Sequence, residues 1–282
     1  MSRFAPLEQV ALAGQALART LALLARPATW APWIVLGAVQ LALVVALWHF
    51  AHPWLSWALA PFIAGAGGEP LLHYPEVFRV LPALFGRANL VVGALLGPVV
   101  IGAATLLFAR AFRGEPARAG AALAAAARLA PALVLVQLPF HLLVLGAGAV
   151  LGGVAGGGRG LPALIATAGL AAASVVLQSL FLYAAALVAL ERRGALAALA
   201  ALPRTWARGF WAALVLGAAG VAALLPFRLL EEQTGLLVER GTPELAVALV
   251  VAQIAAGLLV WYALAGSATL VYLGAMAPED EA

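Results

Sequence analysis

The sequence contains no cysteine and no lysine, and charged residues make up only 10% of its 282 residues. Without cysteine, the chain forms no disulfide bond and performs no thiolate chemistry, and its redox compartment is left open. A soluble globular protein has about 25% charged residues. So little charge therefore excludes an ordinary soluble domain. The sixteen basic residues are all arginine.

Hydrophobic residues make up 65% of the sequence, and its mean hydropathy is +1.04. A helix that crosses a bilayer needs roughly 20 mostly apolar residues. The first long apolar run begins only near Trp30, which argues against a cleavable signal peptide. Six segments qualify as spans: Trp30–Ala51, Leu90–Ala109, Pro131–Leu151, Thr167–Leu190, Phe210–Leu230 and Leu245–Tyr272. The predicted fold class is therefore all-α, a polytopic membrane protein with six transmembrane helices.

The arginines divide unequally between the two sides of these segments. One side has Arg3, Arg19, Arg26, Arg110, Arg113, Arg118, Arg128, Arg192, Arg193, Arg204 and Arg208. The other side has Arg79, Arg87, Arg159, Arg228 and Arg240. Since arginine accumulates in cytoplasmic loops, we predict a multi-pass protein of the bacterial cytoplasmic (inner) membrane with its N-terminus and C-terminus in the cytoplasm.

A stretch of small residues, leucine and arginine precedes the first, third and fifth spans. The three stretches are GQALARTLALLARP from Gly14, GAALAAAARLAP from Gly120 and GALAALAALPR from Gly194. Each predicts a cytoplasmic interfacial helix, and together they indicate a threefold repeat of one interfacial helix and two spans. The alternative is that alanine-rich helices resemble one another by composition. In the N-terminal segment that contains the first stretch, one face has Glu8, Gln15, Arg19 and Arg26, and the opposite face has Leu7, Val10, Leu17, Leu21 and Leu24.

We predict one integral membrane domain over residues 1–282. Residues 1–29 form an amphipathic interfacial helix, residues 30–273 a six-helix bundle, and residues 274–282 a short acidic tail. In the first outer loop, residues 52–89, Pro75 is expected to begin a short helix in the interface with Glu76 and Arg79 as an ion pair. Pro98 is expected to kink the second span, and Gly93 and Gly97 to permit close helix packing there.

The basic helices before the spans, together with RTWARGFW at residues 204–211, resemble a known bacterial arrangement. The chain is similar to the six-span membrane domain attached to some glycerophosphodiester phosphodiesterases, and to related polytopic membrane proteins of bacteria. This resemblance implies the fold. Nothing in the sequence corresponds to the phosphodiesterase catalytic domain, so the resemblance does not imply that activity.

The cytoplasmic arginines are the first candidate site. They form two groups: Arg110, Arg113, Arg118 and Arg128, and then Arg192, Arg193, Arg204 and Arg208. One interpretation is that they only set the topology and anchor the chain at headgroups. The sharper interpretation is a specific phosphate-headgroup site, because arginine binds phosphate in a bidentate manner. Membrane lipids or a membrane protein are then the partners, and nucleic acid is not.

Polar residues within spans are the second candidate site, because such residues are rare in a bilayer. They are Gln40, Gln137, His141, Gln178 and Gln253. Gln137 and His141 lie one turn apart on one face, with Pro139 between them. They indicate either a polar pocket for a small solute or hydrogen bonds that join helices. No Asp, Glu, Lys or Arg is expected deep in a span.

The leading hypothesis is a non-enzymatic protein that engages lipids or a membrane partner, with no cofactor and no metal. The second hypothesis is a transporter or channel for a small solute that uses Gln137 and His141. A third, a membrane-embedded enzyme, depends on a zinc site formed by outer residues. These outer residues are His49, His52, Glu69, His73 and Glu76. The glycines of GAGAVLGGVAGGGRG are expected to form a turn and not a phosphate-binding loop.

Overall fold

A computed structural model describes residues 5–155 and 161–275, and within these ranges the chain is helical and has no strand. The helices are α1 (Pro6–Ala22), α2 (Pro27–Trp48), α3 (Pro53–Gly67), α4 (Glu76–Leu95), α5 (Gly97–Phe112), α6 (Ala119–Arg128), α7 (Ala130–Ala155), α8 (Leu161–Phe181), α9 (Ala184–Ala189), α10 (Ala195–Arg208), α11 (Phe210–Glu232), α12 (Thr234–Arg240) and α13 (Glu244–Ala275). Arg3, Arg159, most of the acidic tail and the end of the glycine-rich turn lie outside the described residues.

Six helical segments are long and apolar enough to cross a membrane. They are Pro27–Trp48, Glu76–Leu95, Ala130–Leu151, Leu164–Ala189, Phe210–Glu231 and Glu244–Gly274. A shorter apolar helix covers Gly97–Phe112. The predicted fold class, an all-α polytopic membrane protein, is confirmed.

The second span differs from its prediction. The predicted segment Leu90–Ala109 straddles a break, because α4 ends at Leu95 and α5 begins at Gly97. Pro98 lies in the first turn of α5, and Leu96 between the two helices keeps right-handed helical dihedrals, with φ of −88° and ψ of −35°. The distortion predicted at Pro98 is therefore present as a break between two helices, where the N–H that proline lacks would have continued α4.

Helix α4 also replaces the last part of the predicted outer loop, residues 76–89. It begins at Glu76, next to Pro75, and Glu76 forms the expected ion pair with Arg79 at 3.2 Å. It runs for 20 residues, however, and buries Val77 and Leu81, so the prediction that this helix is short is wrong. Because α4 is itself a candidate span, Arg87 lies within a span, contrary to expectation.

The predicted close packing at Gly93 and Gly97 is also wrong. A Cβ atom built at either glycine meets nothing within 4 Å. A close approach occurs instead at Gly102, where a Cβ would lie 2.6 Å from the side chain of Leu133 in α7.

The described residues divide into two compact units. The first draws on Met1–Trp33, Ala94–Ala222 and Trp261–Ala282. Tyr262 of α13 is fully buried in it, and the Tyr262 hydroxyl hydrogen-bonds to Thr29 Oγ1 at 2.8 Å. The ring of Tyr262 stacks on Trp30, with centroids 4.6 Å apart, and meets Phe108 edge-on at 4.9 Å.

The second unit draws on Ile34–Gly93 and Ala223–Val260. Its core is aliphatic and aromatic, and consists of Val44, Leu47, Phe50, Ile63, Val77, Phe78, Leu81, Phe85, Val238, Ala246, Val247, Val250 and Ile254.

Candidate functional site

Helices occur at all three positions where interfacial helices are predicted, and each precedes a long apolar helix. They are α1, α6 and α10. Alanine, which has the highest intrinsic helix propensity, dominates α6 and α10. In α1 the helix begins with Pro6, and the Glu8 carboxylate accepts a hydrogen bond of 2.9 Å from the Ala5 backbone N–H.

Helix α1 has a third face that the sequence analysis missed. Its buried stripe is polar and small, and consists of Gln9, Ala13, Ala16, Thr20 and, just beyond the helix, Leu23. At about 100° per residue, the leucines lie roughly 100° to one side of this stripe, and the charged residues lie roughly 100° to the other side. Leu7 is 82% exposed. The helix thus packs its small residues on the protein and leaves an apolar flank and a charged flank free.

Helix α10 repeats this arrangement. Ala198 and Leu202 are buried against the protein, while Leu196 is 83% exposed on one flank. Arg204 and Arg208 are exposed on the opposite flank. In α6 the contrast is weaker, because Ala122 and Ala126 are buried and Arg128 is the single arginine within the helix.

The charged flank of α10 forms an open groove of about 290 Å³. Its lining is Arg193, Ala197, Ala200, Ala201, Arg204, Thr205 and Arg208. The alanines form a low floor between the longer arginine side chains. Thr205 Oγ1 donates to the Ala201 carbonyl at 3.0 Å. Hereafter these seven residues are called the arginine groove.

Among the described residues, Arg204 and Arg208 form no ion pair, whereas Arg193 pairs with Glu191. Glu191 also accepts a hydrogen bond from the Tyr272 hydroxyl, so that one edge of the groove is held by α13. The groove thus contains the unpaired guanidinium groups of Arg204 and Arg208 and the guanidinium group of Arg193, which is fixed by its ion pair with Glu191. Such a groove is suited to a phosphate or carboxylate group.

The other predicted arginines lie outside the arginine groove. Arg192, before α10, has a left-handed backbone with φ of 56°. Arg110 and Arg113 lie at the end of α5, where Gly114 adopts φ of 74° and the Glu115 N–H closes the helix on the Arg110 carbonyl at 2.9 Å. Arg118 and Arg128 lie at opposite ends of α6.

Two of the predicted intramembrane polar residues share a pocket. Gln137 of α7 and Gln178 of α8 both line a pocket of about 30 Å³. The other lining residues are Ile101, Phe140, Phe181, Leu182, Trp261, Leu264, Ala265 and Ala268. His141 is not among them, because its Nδ1 lies 3.0 Å from the Gln137 carbonyl of its own helix. The sequence analysis paired Gln137 with His141 from their spacing along one helix, whereas the pocket pairs Gln137 with Gln178 of the neighbouring helix.

The remaining two candidates belong to the second unit. Gln40 donates to Asn89 Oδ1 at 2.9 Å, and Gln253 hydrogen-bonds to Glu231. Both amide oxygens are buried and have no partner among the described residues. These contacts join α2 to α4 and α11 to α13, as expected of interhelical hydrogen bonds.

The outer histidines do not assemble with carboxylates. Within residues 5–155 and 161–275, no three His, Asp or Glu side chains come close enough to hold a metal ion. His49 instead stacks on Trp48, with ring centroids 5.3 Å apart.

No protein-family model, curated protein sequence or solved structure matches the chain. The resemblance to the membrane domain of glycerophosphodiester phosphodiesterases stays a prediction. The six apolar helices define the chain as a multi-pass membrane protein.

Proposed function

We propose that this protein is a non-enzymatic component of a bacterial cytoplasmic (inner) membrane, and that it binds anionic lipid headgroups in the arginine groove. The observation that carries the proposal is the groove itself, in which Arg193, Arg204 and Arg208 surround a floor of alanine. Both termini and α10 then lie on the cytoplasmic side, where arginine is enriched.

The two free flanks of α10 match the two layers of a membrane surface. Leu196 is exposed on the apolar flank and enters the edge of the hydrocarbon. The arginines on the other flank then lie at the depth of the phosphate groups. Helix α1 likewise has an apolar flank on one side of its buried stripe and a charged flank on the other. This supports the same orientation of α1 and α10 at the membrane surface.

The charge of the groove favours an anion over water. Arg204 and Arg208 are one helical turn apart, and like charges at this spacing destabilise a helix. A bound phosphate group offsets this repulsion and accepts several charge-assisted hydrogen bonds. Each arginine close to an anionic membrane surface contributes about 1 kcal/mol to binding.

The test is native mass spectrometry of the protein extracted gently from membranes that contain phosphatidylglycerol. The double variant Arg204→Gln and Arg208→Gln should lower the apparent lipid affinity at least about a hundredfold, since it removes two charge-assisted hydrogen bonds of about 1.5–3 kcal/mol each. The control double variant, Arg118→Gln and Arg128→Gln, removes the same charge from α6. An equal loss of lipid affinity in both double variants would indicate general charge attraction and would overturn the proposal that the arginine groove is the binding site.

The alternative function, transport of a small solute, has less support. It requires a cavity that reaches both Gln137 and His141. The pocket next to Gln137 has His141 outside its lining and a volume of about 30 Å³, which suits a bound chemical group better than a path through the membrane.

A further inference from the structure

The pocket of Gln137 and Gln178 joins four helices of the first unit, α5, α7, α8 and α13. We propose that this pocket binds the uncharged hydroxyl or carbonyl group of a membrane-dissolved neutral lipid, such as a diacylglycerol. This inference does not depend on the arginine groove, which lies on different residues of α10 and its preceding loop.

The first argument is that a largely buried amide lines the pocket. Gln137 is only 9% exposed, and it belongs to the lining of the pocket. Gln178, on the neighbouring helix, presents a second amide to the same pocket. Two amides supply both donors and acceptors, so a hydroxyl group can donate to one amide oxygen and accept from an amide N–H, and a carbonyl group can accept from an amide N–H.

The second argument is the chemistry of the pocket wall. No charged side chain lines the pocket, so a charged group would lose its hydration without compensation. Phe140, Phe181 and Trp261 contribute aromatic rings. The lining therefore selects an uncharged polar group that is attached to an apolar body.

The third argument is access and size. A volume of about 30 Å³ admits one small polar group, comparable to a water molecule, and not a whole lipid. Gln178 and Trp261 are half-buried, so the pocket reaches the surface of the unit. Both residues belong to candidate spans, and the solvent beside them is therefore hydrocarbon, from which a lipid inserts its polar group.

The experiment uses 1,2-di(dibromostearoyl)glycerol added to the purified full chain in detergent micelles. Bromine quenches tryptophan on contact, and subtracting the signal of a Trp261→Phe variant isolates Trp261. We expect saturable quenching of Trp261. The lipid concentration at half-maximal quenching should rise at least tenfold in Gln137→Leu and in Gln178→Leu. His141→Ala is the matched control on the same helix and should bind as the wild type does.

Two results would overturn the inference. One is equal quenching by a dibrominated alkane that lacks polar groups, which would indicate partition into apolar surface. The other is a lowered unfolding temperature in Gln137→Leu with unchanged quenching, which would indicate that the amides only hold water or stabilise the helices. Gln137→Leu should fold at least as stably as the wild type, because leucine suits the apolar wall of the pocket better than an amide does.

Discussion

At the scale of single residues, close packing depends on a few glycines. Gly266 of α13 faces Thr20 of α1, and a Cβ atom at Gly266 would overlap the Thr20 side chain. Thr20 has no freedom to withdraw, because it is fully buried and its hydroxyl donates to the Ala16 carbonyl at 2.8 Å. Gly257, nine residues earlier in the same helix, has nothing within 4 Å of its Cβ position.

The variant Gly266→Ala should lower the free energy of unfolding by about 1–3 kcal/mol, because it overpacks a filled site. Gly257→Ala should leave it unchanged or raise it by up to about 1 kcal/mol, because alanine favours the helix. Thermal unfolding in detergent micelles measures both. Adding Thr20→Ala should recover part of the loss in Gly266→Ala, and equal stability of the two single variants would contradict the contact.

At the scale of elements, a glutamine of α1 holds the junction between two other helices. Helix α10 ends at Arg208 and α11 begins at Phe210, so peptide groups near Gly209 lack their usual helical partners. Gln9 Nε2 donates to the Arg208 carbonyl at 3.2 Å, and its Oε1 accepts from the Trp211 N–H at 3.0 Å. One buried amide thus supplies both missing partners.

Replacing Gln9 with leucine should lower the free energy of unfolding by about 1–3 kcal/mol in total, because two part-buried hydrogen bonds are lost together. Gln15→Leu is the control, since Gln15 is exposed on the same helix. Chemical unfolding in mixed micelles distinguishes the variants, and a Gln9→Leu protein as stable as Gln15→Leu would refute the bridge.

Hydropathy located the elements well only where an apolar run coincides with one helix. The first span was predicted over Trp30–Ala51 and is found at Pro27–Trp48. The second span was misplaced because the apolar run continues through the break between α4 and α5 at Leu96. Side-chain hydropathy contains no information on where the backbone hydrogen bonds of a helix are interrupted. Pro98 was the available signal, since proline is favoured in the first turn of a helix.

The arginine groove could be predicted from the sequence, whereas the glutamine pocket could not. Arg204 and Arg208 lie on one flank, as their spacing of four predicts. The floor alanines Ala201, Ala200 and Ala197 lie three, four and seven residues before Arg204, which is the spacing of one helix face, so the floor was open to prediction. The meeting of Gln137 and Gln178 was not, because it depends on the register between α7 and α8, and a period within one helix carries no information on a neighbouring helix.

At the scale of the whole molecule, the proposed topology is accessible to chemistry because the chain has no cysteine. Glu115 follows α5, His73 precedes α4, and both are exposed. In intact cells, a membrane-impermeant maleimide should label a His73→Cys variant. It should label Glu115→Cys only after the membrane is permeabilised, because arginine-rich loops stay inside. The reverse pattern would invert the orientation and place the arginine groove outside.

The bridge from Gln9 to Arg208 spans 199 residues of sequence. During synthesis at about 5–20 residues per second, α1 emerges roughly 10–40 s before its partner helices exist. Through that interval its buried stripe has no protein to cover it, and the exposed Leu7 and Leu21 are what can hold it at the membrane. Helix α1 is therefore made well before it docks, and a nascent chain that stops before Arg208 leaves it undocked at the membrane surface.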